Sequence, residues 1–166
     1  MVAPMTGQFC APVQRWFDGR FAGPTEAQRG GWAAIAAGQD ALIMAPTGSG
    51  KTLAAFLAGI DGLVRRGAAG TLGDGVKIVY VSPLKALGAD VERNLQAPLR
   101  GIAAAAAELG VATPTIRTAL RTGDSTATER ARILRQPPHL LITTPESLYL
   151  LLTSTRGRAI LAGCEQ

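Results

Sequence analysis

Apolar residues along this chain recur in two alternating rhythms. From Lys51 onward, Leu53, Phe56, Leu57, Ile60, Leu63 and Val64 are spaced as one face of a helix. Arg65 and Arg66 suit the negative end of that helix, and Gly67 supplies a left-handed stop. Gly59 and Gly62 lie inside it and each costs about 1 kcal/mol relative to alanine, so packing has to hold the helix. Shorter apolar runs of strand length occur at Ala41–Met44, Val76–Val81, Thr115–Leu120 and Leu140–Thr143. Helical sequence separates them: Leu84 to Leu109 with a break expected at Pro98, Thr126 to Leu134, and Pro145 to Leu152. The Gly-rich stretch 66–75 reads as an exposed loop, and Trp16 and Trp32 fall in helical sequence as core residues. Strands alternating with helices mean crossover connections, hence an α/β fold with a parallel sheet flanked by helices.

Composition narrows the class. With 166 residues, 47% hydrophobic and 17% charged, the chain has the size and balance of one folded domain or a large piece of one. No apolar run reaches the ~18 residues of a membrane span, and the first ten residues lack the pattern of a secretory signal. Cys10 and Cys164 form neither a disulfide framework nor a metal-ligand pair, which fits a reducing cytoplasm. The net charge of +5 invites an anionic partner such as nucleic acid, although five charges also suit an ordinary solvated face. Only three of the 17 cations are lysines, Lys51, Lys77 and Lys85, so each lysine is informative.

The sharpest local feature is APTGSGKT at 45–52, set between a predicted strand and a predicted helix. Gly48 and Gly50 let the backbone curl so that consecutive N–H groups, including those of Thr47 and Ser49, face one anion, and the helix beginning near Lys51 adds its positive end. Lys51 then reaches the β- and γ-phosphates of a nucleotide, and the Thr52 hydroxyl is offered to Mg²⁺. The competing reading is a Gly-rich turn with an incidental lysine. Upstream, Thr25 and Gln28 have capping-box spacing. The Gln28 amide also has the donor and acceptor needed to read adenine N6 and N7, with Phe21 placed to lie against the base.

Further on, Lys85 and Arg121 are charges suited to phosphates. Thr144–Pro145 makes a plausible N-cap and first helical residue. Asp124 or Ser125 can begin the next helix, with Thr126 and Glu129 as the alternative. His139 has no second metal ligand nearby and reads as structural.

The segments FAGPTEAQ, APTGSGKT, YVSPLKALGAD, RTGDS and ITTPESL, in this order, resemble superfamily 2 helicases, and their wording resembles the large helicase-related (Lhr) family of ATP-dependent DNA helicases. The resemblance covers about residues 8–163. Ala45, where nucleotide kinases carry glycine, is also the helicase form. The resemblance implies a RecA-like P-loop NTPase fold, with the chain as the N-terminal part of the first of two such domains. It implies ATP and Mg²⁺ as cofactors and single-stranded DNA or a DNA–RNA hybrid as partner. The implied activity is ATP-driven 3′-to-5′ unwinding, with DNA repair as the family setting.

Residue by residue, it places Phe21, Thr25 and Gln28 in the adenine-sensing motif, and Thr47, Gly48, Ser49, Gly50, Lys51 and Thr52 around the phosphates. Lys51 and Thr52 are the catalytic pair of this half. Ser82, Pro83, Leu84, Lys85 and Ala86, then Arg121, Thr122, Gly123 and Asp124, then Thr143, Thr144, Pro145 and Glu146 fall in motifs that hold the strand. The family's hydrolytic motif needs two adjacent acidic residues, and this chain has no such pair. The sequence ends about where that motif's strand would begin. The expectation is therefore an incomplete domain, inactive in ATP turnover by itself. A self-contained nucleotide- or nucleic-acid-binding module is the alternative, and another P-loop NTPase or kinase the less favoured one.

Overall fold

A computed structural model describes residues 8–46 and 48–166. The chain divides into two compact units, one from residues up to Ala68 together with Arg100–Thr113, the other from Ala69–Leu99 and Pro114–Gln166.

The first unit is built on three helices, α1 (Ala11–Arg20), α2 (Glu26–Ala36) and α3 (Lys51–Ala68). On α3 the expected face is buried: Phe56, Leu57, Ile60, Leu63 and Val64, joined by Ala54, while Leu53 is half-buried. Phe9, Phe17 and Trp32 meet edge to face beside α1 and α2, with Phe9 and Phe17 centroids 4.8 and 5.4 Å from Trp32. Asp61 on α3 holds the start of α1 by accepting the Cys10 N–H at 2.7 Å, and it also accepts Arg65 Nε at 2.6 Å. Trp16 is only half-buried, short of the core place expected of it, and its indole lies against Gly101, where there is no room for a Cβ.

Two expectations are corrected in this unit. The helix does not stop at Gly67 but runs to Ala68, and the left-handed residue is Gly70, at φ 70°. Ala41–Met44 is not a strand. A strand exists through hydrogen bonds to a neighbour, and no described backbone pairs with it. Leu42 and Met44 are 86% and 82% exposed, and only Ile43 turns inward, toward Gly31.

The second unit holds a parallel sheet of β1 (Ile78–Val81), β2 (Thr118–Arg121) and β3 (Leu140–Thr143), in the order β1-β3-β2. All four residues of β3 are fully buried, as a central strand covered on both faces requires. Its helices are α5 (Ala127–Arg135), α6 (Pro145–Thr153) and α7 (Thr155–Leu161), with the first part of α4 (Lys85–Glu108). The core gathers Val76, Ala119, Ile133, Leu141, Leu151 and Ile160. Gly88 lets α4 lie close on the sheet, since a Cβ there would sit 3.2 Å from Leu120.

The expected break at Pro98 is absent: α4 is continuous through it. Proline costs a helix about 3 kcal/mol. Buried Val91 and Leu95 before it, and Ile102, Ala105 and Ala106 after it, anchor both sides. Helix α7 lies beyond the elements the apolar pattern predicts, and Ser154 caps it by accepting the Gly157 N–H at 3.1 Å. Within the stretch 66–75, Leu72 is buried although a wholly exposed loop was expected. Among the described residues no helix is long and apolar enough to cross a membrane, and no cluster of acidic, His or Cys side chains could hold a metal ion.

Candidate nucleotide and nucleic-acid sites

In the first unit the segment before α3 bends as its glycines permit. Gly48 and Gly50 sit at φ 83° and 81°, a region that side chains disfavour. The Ser49 N–H donates to the Pro46 carbonyl at 3.3 Å, and α3 opens with the Ala54 N–H on the Gly50 carbonyl at 2.9 Å. Lys51 is the first residue of α3, and its ammonium donates back to the carbonyls of Ala45 and, at 2.7 Å, of Pro46. Thr52 is exposed on the first turn. Ser49 Oγ is buried with no hydrogen-bond partner among the described residues. Thr47 lies outside the described residues.

Helix α2 is tied to this loop. Thr25 and Gln28 form the full capping box. Thr25 Oγ1 also donates to the Ser49 carbonyl at 2.9 Å, and Gln28 Nε2 donates to the Gly50 carbonyl at 3.4 Å. Gln28 Oε1 accepts the Thr25 N–H at 2.9 Å, and the residue is only 4% exposed. The amide thus spends one donor and one acceptor inside the protein. A side chain on Gly50 would run into the Gln28 amide, which together with the left-handed φ makes the position suited to glycine. Phe21 lies tilted against Phe17 at 4.9 Å and edge to face with Trp16 at 5.8 Å, and keeps 39% of its surface open.

The second unit gathers the other candidates at one sheet edge. Val81, Thr143 and Arg121 share a register, so the chain leaves all three strands at the same level. Ser82 is fully buried, its N–H on the Thr143 carbonyl and its hydroxyl on the Leu84 carbonyl, both at 2.8 Å. Thr143 is likewise inside, its hydroxyl donating to the Arg121 carbonyl at 2.8 Å. Pro83, Lys85, Gly123, Asp124 and Glu146 are exposed, whereas Thr122 and Thr144 are buried. Lys85 Nζ pairs with Asp124 Oδ1 at 2.6 Å.

The turn after β2 is wound by hydrogen bonds: the Thr122 N–H to Ser125 Oγ at 3.0 Å and the Asp124 N–H to Thr122 Oγ1 at 3.3 Å. Helix α5 is capped by Thr126 with Glu129 rather than by Asp124 or Ser125, which leaves Asp124 for Lys85. The Thr126 N–H and hydroxyl hold the Glu129 carboxyl below the usual range. Thr144 is the N-cap of α6 but makes no side-chain cap bond, and Pro145 follows it without an N–H. The Glu146 carboxyl is also held low, chiefly by its own backbone N–H, then by the Thr144 hydroxyl, with the Lys85 charge adding to both.

Arg121 is 8% exposed, and its Nη1 donates to the Ser147 carbonyl of α6 at 3.3 Å. Burial, followed by the nearby Arg130 charge, lowers its pKa. His139 is buried, with Nδ1 accepting the Arg117 N–H at 3.2 Å, in keeping with a structural role. Arg130 carries no motif signal in the sequence, yet its Nη2 donates to the Gly123 carbonyl at 2.8 Å. Its place one turn into α5 was the only sequence signal for it.

The DEAD/DEAH box helicase family matches residues 25–164. The chain belongs to that family. Among curated relatives of this helicase chain, the Lhr helicase/probable uracil glycosylase of Mycolicibacterium smegmatis is 50% identical over 148 residues, covering 89% of this chain and 10% of the relative. The ATP-dependent helicase Lhr-Core of Methanocaldococcus jannaschii is 47% identical over 152 residues, covering 92% and 18%. A solved structure of the Mycobacterium smegmatis helicase Lhr, bound to ssDNA and AMP-PNP, superposes with a TM-score of 0.88 at 47% identity, covering 95% of this chain and 19% of that one. These matches bear out the Lhr resemblance and the RecA-like parallel sheet flanked by helices. The chain spans between 10% and 19% of the length of these relatives.

Proposed function

We propose that this chain binds ATP at residues 45–52 and a single-stranded nucleic-acid backbone at the shared edge of β1, β2 and β3. In this reading residues 1–166 are the N-terminal part of the first RecA-like domain of a cytoplasmic helicase. The whole enzyme couples ATP hydrolysis to 3′-to-5′ movement and unwinds DNA or a DNA–RNA hybrid. The observation that carries the reading is the loop itself. Two left-handed glycines precede a helix that starts on a lysine, and the buried Ser49 hydroxyl has no partner among the described residues. That arrangement suits an anion and fits a triphosphate. The relative solved with ssDNA and AMP-PNP supports both ligands.

The roles follow from the geometry. The first N–H groups of α3 have no helical acceptor and suit phosphate oxygens. Lys51 leaves two neutral carbonyls for the charged phosphates, a stronger acceptor for an ammonium. Thr52 would hold Mg²⁺, which supplies charge neutralisation at the β- and γ-phosphates. Thr25 and Gln28 brace the loop through the Ser49 and Gly50 carbonyls and, with Phe21, border the place for adenine. At the sheet edge, Pro83, Lys85, Gly123, Asp124 and Glu146 form the strand-facing surface, and buried Ser82, Thr122, Thr143 and Thr144 lie beneath it and hold its backbone. Contacts of this kind read no sequence, which suits movement along any strand.

Titration with a fluorescent ATP analogue tests the loop. Lys51→Ala should weaken binding by roughly tenfold or more, the loss of one charge-assisted hydrogen bond. An unchanged affinity would remove Lys51 from the site. The chain has no adjacent acidic pair, so the 166-residue protein alone should release no phosphate from ATP, with or without DNA.

A further inference from the structure

Arg121 was expected among the groups that meet phosphate, yet its side chain faces inward. Its guanidinium donates from Nη1 to the Ser147 carbonyl in the first turn of α6, and its own carbonyl accepts the Thr143 hydroxyl. Among the described residues no carboxylate pairs with it and its buried Nε has no acceptor, and the nearby charge is that of Arg130. Burying an unpaired cation is unfavourable, so the contact it makes needs a reason.

The start of α6 supplies one. The Thr144 hydroxyl caps no backbone N–H there, engaging the Glu146 carboxyl instead, and Pro145 has no N–H, so the first turn lacks a side-chain cap. One arm of the Arg121 guanidinium reaches it from the end of β2, and lysine, with a different head group and reach, does not reproduce that contact.

We propose that Arg121 is a positioning residue: it splints the end of β2 to the first turn of α6, holding two strand-binding segments in register without touching the nucleic-acid backbone. This rests on the reading of the sheet edge as the strand-binding surface.

Salt dependence separates the two roles. Each phosphate contact releases a counterion, and for single strands removing one lowers the slope of log affinity against log salt by ~0.7. In the full chain, Arg121→Ala and Arg121→Lys should both weaken binding of a labelled single-stranded oligonucleotide, by roughly five- to twentyfold, with the slope unchanged. Lys85→Ala should lower the slope by about 0.7. The proposal is overturned if Arg121→Ala lowers the slope as Lys85→Ala does, or if Arg121→Lys keeps wild-type affinity.

Amide hydrogen exchange without DNA gives a second readout, and Arg121→Lys serves if the alanine variant does not fold. Exchange in the first turn of α6 should quicken in either variant, while α7 stays as in the wild type. Unchanged exchange in α6 overturns the splint whatever the DNA result. If instead Lys85→Ala changes neither affinity nor slope while α6 exchange quickens, the splint stands and the strand-binding reading of this edge fails.

Discussion

Lys85 and Asp124 show how much one side chain depends on its neighbours. Both are exposed, and their 2.6 Å pair puts a carboxylate on the ammonium that the proposed function gives to phosphate. An exposed pair of this kind contributes about 0.2–1 kcal/mol, so it yields easily to a stronger anion. Asp124→Asn should therefore tighten single-strand binding by roughly two- to fivefold at low salt, with less gain at high salt. Fluorescence anisotropy measures it, and equal or weaker binding by the variant would show that Asp124 does not compete. Cys10 is a second case. Burial first, then its contact with Asp61, pushes its thiol up to about 11. Cys164 is exposed. At pH 8, iodoacetamide should label Cys164 well before Cys10, as followed by mass spectrometry; equal rates would mean that the start of α1 is open to solvent.

At the scale of elements, local chemistry was readable wherever the residues involved lie within a turn of each other. The capping boxes of Thr25 with Gln28 and Thr126 with Glu129 form as their spacing requires. The second has a pH signature. Glu129 titrates below its ordinary 4.5 in the folded chain, so the stability it lends is present above that value and is lost as the pH falls through the folded pKa. The melting temperature of Glu129→Gln should accordingly fall less than that of wild type between pH 6 and pH 3. Parallel curves would place the carboxylate outside the cap. Other elements were not readable in this way. Ala41–Met44 has the apolar run of a strand, but pairing needs a second segment in place, and pattern alone does not supply one. Pro98 reads as a breaker from local cost, yet the buried residues on either side of it outweigh that cost.

For the molecule as a whole, the sequence by itself determined the parts that depend on near neighbours. It specified the glycine-bent loop before α3, the amphipathic face of that helix, the apolar run Leu140–Ile142 of β3, and the ordered motifs that mark a helicase. Those rest on steric limits at single residues and on periodicity, which act within a few positions along the chain. Tertiary structure alone decided which motif residues face outward. Ser82, Arg121 and Thr143 belong to motifs as plausible as those of Lys85 or Glu146, but the register of three parallel strands puts the first three inside. The carbonyls that receive Lys51 and Arg121, at Ala45, Pro46 and Ser147, belong to every residue alike and leave no mark in the sequence. Burial and hydrogen-bond partners are properties of distant segments brought together, so only the folded chain distinguishes a group that awaits a ligand from one already engaged.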